Sequence, residues 1–96
     1  MTTHRAKFRP QARRELRDAQ AWYEEQVEGL GLEFAKAVDV ALDTICEHPD
    51  SFAVVDAPYR QYVMRRFPFS IVYRIAEDRV VVVAVHHQRR QPRRWG

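Results

Sequence analysis

Residues 69–87 read FSIVYRIAEDRVVVVAVHH, and this stretch decides the fold. Apolar or aromatic side chains occupy alternate positions from Phe69 to Ile75, which indicates a strand with one buried face. The polar residues 76–79 suit the turn of a hairpin. Residues 80–85 are apolar at every position, a pattern typical of a strand that has neighbours on both sides and is covered on both faces. The stretch therefore predicts a β-hairpin whose second strand lies inside a sheet.

The segment before this hairpin predicts one more strand and a loop. Residues 62–66 are rich in β-forming side chains, and they end at Phe67 and Pro68, where proline interrupts the hydrogen-bond ladder. Residues 48–59 carry Pro49, Asp50 and Pro58, which favour turns, and this segment is predicted to be a loop.

Two helices are predicted upstream of the loop. Apolar residues recur at three- and four-residue spacing through residues 11–28 and again through residues 30–47. Pro10 suits the first position of the first helix, and Pro49 prevents the second from continuing. Because only a short glycine-containing turn separates the two helices, they are expected to form an antiparallel hairpin.

Residues 4–9 complete the predicted architecture. Ala6 and Phe8 share one face and basic residues share the other, which indicates a half-buried strand. The expected order is β-α-α-β-β-β, an α+β fold in which the helix hairpin packs on a small antiparallel sheet. A chain of 96 residues is expected to form a single domain over residues 1–96.

Composition excludes several classes of protein. The strongly apolar run at residues 80–85 is far shorter than the roughly 20 residues that a membrane span needs, and the amino terminus has no signal-peptide pattern. Cys46 is the only cysteine, so no internal disulfide can form and a cytoplasmic location is expected. The histidines and Cys46 show no metal-ligand spacing, so neither a metal nor a cofactor is expected.

Charge is distributed unevenly along the chain. Residues 1–58 carry seven Lys or Arg and eleven Asp or Glu, whereas residues 59–96 carry nine Arg and two acids. The two parts therefore have net charges of −4 and +7, which agree with the total of +3. A basic carboxy-terminal part of this kind indicates an anionic partner.

Four motifs give the chain a family resemblance. They are Ala21-Trp22-Tyr23-Glu24, Arg66-Phe67-Pro68-Phe69, Val72-Tyr73-Arg74 and the final pattern His86-x-x-Arg89-x-x-Pro92-x-x-Trp95. In this order along a β-α-α-β-β-β chain, residues 4–95 resemble the RelE/ParE superfamily of bacterial type II toxins, and they are more similar to the ParE branch.

The resemblance implies a toxin that a cognate antitoxin neutralises by direct binding, through an acidic amphipathic segment. It implies that the ParE branch poisons DNA gyrase, and this is the expected function. The RelE branch cleaves mRNA on the ribosome, which is the alternative, and a third reading is an inactive or nucleic-acid-binding relative. A homodimer and a hetero-oligomer with the antitoxin both stay open, and no membrane partner is expected.

Candidate binding residues follow from the basic carboxy-terminal part. The arginines at 65–66 and 89–90 are expected to cluster, because no acid lies near them in sequence. The full set expected to contact the target or the antitoxin is Arg60, Arg65, Arg66, Arg74, Arg89, Arg90, Arg93, Arg94 and Trp95.

Catalytic residues are needed only in the RelE-like alternative. RNA cleavage requires a base, an acid and cations that stabilise the phosphorane. His86 and His87 are the candidates for proton transfer, with Arg65 and Arg89 as cations. No tyrosine follows residue 73 and no carboxylate lies within residues 60–75, so the sequence favours a binding toxin over an enzyme.

Overall fold

A computed structural model describes residues 6–89 as two helices on one face of a five-stranded sheet. The elements in chain order are β1 (Ala6–Phe8), α1 (Pro10–Gln26), α2 (Leu30–Glu47), β2 (Ala53–Asp56), β3 (Tyr59–Val63), β4 (Phe69–Ala76) and β5 (Arg79–His87). The α+β class and the helix hairpin are as the sequence predicts.

The sheet has the strand order β1-β5-β4-β3-β2. Strands β2 to β5 pair antiparallel, but β1 pairs parallel with β5, so the sheet is mixed and the expectation of a wholly antiparallel sheet is wrong at this edge. A parallel pairing needs a long crossover connection, and the chain supplies one between β1 and β5. The central position of β5 explains why residues 80–85 are apolar throughout.

Two boundaries differ from the sequence prediction. The predicted loop at residues 48–59 contains β2, and the strand predicted at residues 62–66 is instead β3, at Tyr59–Val63. Arg65 and Arg66 therefore lie in the turn before β4 and not on a strand. All four residues of β2 are exposed, so this edge strand has none of the one-sided burial that produces a recognisable alternation.

An aromatic cluster fills the space between the helices and the sheet. Tyr23 of α1 and Phe34 of α2 contact Phe67 and Phe69, with ring centroids 4.9–6.1 Å apart. Such pairs stabilise a fold by about 0.5–1.5 kcal/mol beyond the burial of their area. The predicted apolar stripes of both helices face this core, except that Val27 at the end of α1 is 58% exposed.

A bulge in β5 sets which side chains face the helices near its end. Tyr73 pairs with Val82, but Val72 pairs with Ala84, so Val83 is an extra residue. Val85 then packs in the core beneath the helices. The bulge thereby fixes the orientation of the last residues of β5.

Candidate interaction surface

A groove of about 760 Å³ runs between α1 and the end of β5. Its lining combines apolar and aromatic side chains with two acids and two histidines. We call it the α1–β5 groove, and it is lined by Glu15, Asp18, Ala19, Trp22, Tyr23, Pro68, Phe69, Val85, His86 and His87.

The groove exists because β1 is short. Its three residues pair only with Val80–Val82 of β5, and the ladder ends where the Arg9 N–H donates to the Val82 carbonyl at 2.9 Å. Further along β5, the Val85 N–H donates to Glu15 Oε1 at 2.9 Å. A carboxylate from α1 therefore takes the place that a longer β1 would fill.

An exposed tryptophan forms one wall of the groove. Trp22 is 55% exposed, and its ring lies edge-on to Tyr23 with centroids 5.1 Å apart. Across the groove, His87 packs edge-on against Phe69 at 5.2 Å. Aromatic side chains that are partly exposed beside polar groups are typical of protein-binding surfaces.

Arg65 and Arg89 lie at the same end of the sheet as the groove. The Gln88 N–H donates to the Pro68 carbonyl at 2.8 Å, and the Met64 N–H donates to the Phe69 carbonyl at 3.0 Å. These bonds join the end of β5 to the turn that carries Arg65. Both arginines are exposed, so this end of the sheet presents positive charge to solvent.

Arg66 is engaged within the fold. Its guanidinium forms an ion pair with Glu33 of α2 and lies over the ring of Phe67, with Cζ 5.1 Å from the centroid. No acid lies near Arg65 and Arg66 in sequence, as the sequence analysis states, but a distant acid neutralises Arg66. The partner is 33 positions away in sequence, so no local pattern indicates it.

Arg60 and Arg74 do not extend the same surface. Arg60 pairs with Tyr73 across the sheet and so faces the helices, where its guanidinium donates to the carbonyls of Asp50 at 3.1 Å and Phe52 at 2.8 Å. Arg74, the next residue after Tyr73, points to the opposite face. The predicted arginine set is thus divided between two faces of the sheet.

The two histidines occupy alternating positions on β5. His86 pairs with Ser70 and His87 with Phe69, so their side chains lean to opposite faces although both border the groove. The Arg89 N–H donates to His87 Nδ1 at 3.1 Å, which requires an unprotonated Nδ1. Among residues 6–89, no group of three or more His, Cys, Asp or Glu side chains could hold a metal ion.

Four predicted binding residues, Arg90, Arg93, Arg94 and Trp95, lie outside the described residues. The sequence prediction missed Glu15 and Asp18 as parts of the groove, because a charged position on a helix gives no sign of which strand edge it reaches. Phe69 was predicted as a core residue, and its second role as groove lining depends on the length of β1.

No helix within residues 6–89 combines the length and apolar character needed to cross a membrane.

Comparison with known proteins gives one family. The sequence model of the ParE toxin of type II toxin–antitoxin system, parDE, matches residues 6–92. No curated protein sequence matches the chain. Among solved structures, a chain of the chromosomal ParDE TA system from P. aeruginosa is similar, with a TM-score of 0.76 and 13% identity. The similarity covers 91% of the present chain and 98% of that chain, and at this identity it concerns the fold alone.

Proposed function

Because the chain belongs to the ParE toxin family of type II toxin–antitoxin systems, we propose that it arrests growth by binding DNA gyrase in the cytoplasm. The cognate antitoxin neutralises it by covering an overlapping surface. The exposed end of the sheet that carries Arg65 and Arg89, beside the α1–β5 groove, is the observation on which this proposal depends.

The antitoxin segment is acidic and amphipathic. Its apolar face lies against Trp22 and Phe69 in the groove, and its acids face Arg65 and Arg89 on the rim. Burial of an exposed tryptophan supplies much of the affinity, since aromatic side chains are the commonest hot spots of protein interfaces. The opposite charges increase the association rate and make it sensitive to salt.

Gyrase contacts the same end of the sheet. The guanidinium groups of Arg65 and Arg89 form charge-assisted hydrogen bonds with acidic or phosphate groups of the gyrase–DNA complex. Bound antitoxin excludes gyrase because both partners need these two arginines.

The test is a supercoiling assay with purified gyrase and the full chain. We expect inhibition that increases with toxin concentration and disappears when antitoxin is added first. Undisturbed supercoiling at a large molar excess of folded protein would contradict the gyrase assignment.

Charge reversal locates the surface. We expect Arg65→Glu/Arg89→Glu to inhibit gyrase at least tenfold less strongly, whereas the matched variant Lys36→Glu/Arg79→Glu keeps its potency. Lys36 and Arg79 are also exposed, and they lie away from the groove. Equal losses in the two variants would show that only total charge matters.

A further inference from the structure

A second basic surface lies at the start of α1, away from the arginines of the carboxy-terminal part. It consists of Arg9, Arg13, Arg14 and Arg17, all of them exposed. We call these four residues the α1 arginine strip. With about 3.6 residues per turn, the three helical members fall within an arc of about 100° on the side of α1 that faces solvent.

No described acid neutralises the strip. The ion pairs formed by arginines within residues 6–89 involve Arg60 and Arg66, and no strip arginine takes part in one. The two acids of the same helix segment, Glu15 and Asp18, both line the α1–β5 groove instead. On the surface of α1, Glu15 lies about 100° from the nearest strip arginine, whereas Asp18 is four residues after Arg14 and is the one acid of this segment next to the strip.

This arrangement opposes the stability of the helix. Like charges three and four residues apart repel, as at Arg13 and Arg17. Cations near the amino end of a helix also interact unfavourably with the helix dipole, and the first turn of α1 contains no acid. Except at Arg14, which has Asp18 four residues after it, helix stability gives no reason for the strip, whereas an anionic partner does.

The chemistry of the strip fits a phosphate backbone better than a protein. Interfaces with proteins have an apolar or aromatic core, and none of the exposed large hydrophobic residues within the described range falls in residues 6–17. Arginine forks match phosphate oxygens well. Surfaces that contact nucleic acid backbones are polar and strongly positive in the same way.

The strip also fits a double helix better than a single strand. Single-strand binding relies on exposed aromatic rings on which bases stack. The one aromatic residue of the segment, Phe8, is half-buried and lies under the guanidinium of Arg13, with Cζ 5.5 Å from the ring centroid. The ring is thereby covered by the cation and does not present a free stacking platform.

We propose that the α1 arginine strip binds the phosphate backbone of duplex DNA without sequence preference. The choice of DNA over RNA rests on the proposed function, because gyrase acts on duplex DNA. Binding through the strip would hold the toxin on DNA beside its target, while the groove and the sheet end stay available to protein partners.

The experiment measures affinity of the full chain for a short labelled DNA duplex over a series of salt concentrations. The test variant is Arg14→Gln/Arg17→Gln, and the matched control is Lys36→Gln/Arg79→Gln, which removes the same charge elsewhere. The slope of log K against log salt should become shallower by about 1.8 in the test variant, since each phosphate contact contributes about 0.9. The control should keep most of the wild-type slope.

A thermal unfolding measurement accompanies the titration. The test variant should melt at the same temperature as wild type or higher, because like charges have been removed from α1. Arginines outside the described residues are unchanged in both variants, so their contribution to DNA binding cancels in the comparison. Weaker binding with undiminished stability would show that the strip contacts DNA directly.

Three results would overturn the proposal. One is an equal change of slope in test and control variants, and another is no change in either. The third is a strip-dependent affinity that is higher for a duplex RNA or for an acidic peptide than for DNA. If the wild-type protein does not inhibit gyrase but the test and control variants still differ in slope, the proposed function is wrong and the proposed DNA-binding surface is supported.

Discussion

At the scale of single residues, Glu24 of α1 joins the two helices. Its carboxylate accepts the N–H of Gly29 at 2.9 Å through Oε2 and the N–H of Gly31 at 2.9 Å through Oε1. Gly29 has a φ of +88°, which a residue with a Cβ rarely adopts. We expect Glu24→Ala to lower the free energy of unfolding by about 1–2 kcal/mol, the usual cost of a lost helix cap.

Urea denaturation measures this effect, and Glu25→Ala is the matched control. Glu25 is an exposed glutamate on the same helix that makes no such contact, so its replacement should change the free energy of unfolding by less than about 0.5 kcal/mol. Similar losses in both variants would mean that α1 charge, and not the capping geometry, stabilises the hairpin.

Tyr73 gives the protein a dependence on alkaline pH. Burial raises its pKa to about 12, with smaller effects from Arg60, which lowers it, and Asp50, which raises it. The folded pKa lies above the ordinary value of 10.0, so the associated stability is fully present below pH 10 and is lost as the pH rises toward 12. The expected loss is about 2–3 kcal/mol, since each pKa unit corresponds to about 1.4 kcal/mol.

The variant Tyr73→Phe isolates this group. It should be less stable than wild type by about 1 kcal/mol at pH 8, because the Tyr73 hydroxyl donates to the Pro49 carbonyl at 2.7 Å. Above pH 10 the variant should lose less stability than wild type does. The part of the phenolate absorbance that is present in wild type and absent from the variant should titrate near pH 12. Parallel stability curves across this range would show that another group causes the alkaline loss.

Contacts between distant residues mark the limit of prediction at this scale. The hydrogen bond from Val85 to Glu15 joins positions 70 apart, and the ion pair of Arg66 with Glu33 joins positions 33 apart. Side-chain spacing predicts which face of an element a residue occupies. It carries no information on which distant element lies opposite, and so the neutralised state of Arg66 could not be predicted.

At the scale of elements, the α1–β5 groove makes Trp22 a candidate anchor for the antitoxin. The indole is 55% exposed and lies edge-on to Tyr23, so its truncation removes a partly exposed ring and leaves the residues of the buried core in place. We expect Trp22→Ala to weaken antitoxin binding at least thirtyfold, or about 2 kcal/mol, as for a hot-spot residue. Isothermal titration calorimetry with the antitoxin measures the change.

Val40→Ala is the control for this prediction. Val40 is 64% exposed on α2, away from the groove, so its truncation removes exposed apolar surface without touching the expected interface. Unchanged affinity in the Trp22 variant, with its thermal stability intact, would place the antitoxin elsewhere on the toxin.

The elements that could be predicted are those with one-sided burial. Both helices show a core stripe. The large apolar side chains of β4 alternate in sequence, but the expectation of one buried face is wrong, because Ser70 and Val72 on its other face are buried as well and Ile75 is 37% exposed. Strand β2 shows no such pattern because it is exposed on every residue, and it is held by backbone pairing with β3. The groove could not be predicted either, since it results from where the short β1 ends.

At the scale of the whole molecule, charge is sorted by surface and not simply by position in the sequence. The sequence contrast between residues 1–58 and 59–96 predicts one basic half. The structure instead shows arginines at the end of the sheet and in the α1 arginine strip, with Glu15 and Asp18 in the groove between α1 and β5. Simultaneous binding of an antitoxin and a nucleic acid, as proposed above, requires separate charged surfaces of this kind.

Whether the toxin acts by binding or by catalysis is also a question about the whole molecule. A variant that lacks both imidazoles but keeps Arg65 and Arg89 distinguishes the two. We expect His86→Gln/His87→Phe to inhibit growth as strongly as wild type, because the proposed gyrase contacts are Arg65 and Arg89. Phenylalanine at position 87 keeps a ring beside Phe69, although it lacks the Nδ1 that accepts the Arg89 N–H. Growth after induction and mapping of mRNA ends on ribosomes provide the measurements. The opposite result would identify a nuclease: the variant folds and binds antitoxin but is not toxic, and the wild-type protein cleaves mRNA within codons. The reason is that an imidazole can move a proton near neutral pH, whereas glutamine and phenylalanine cannot.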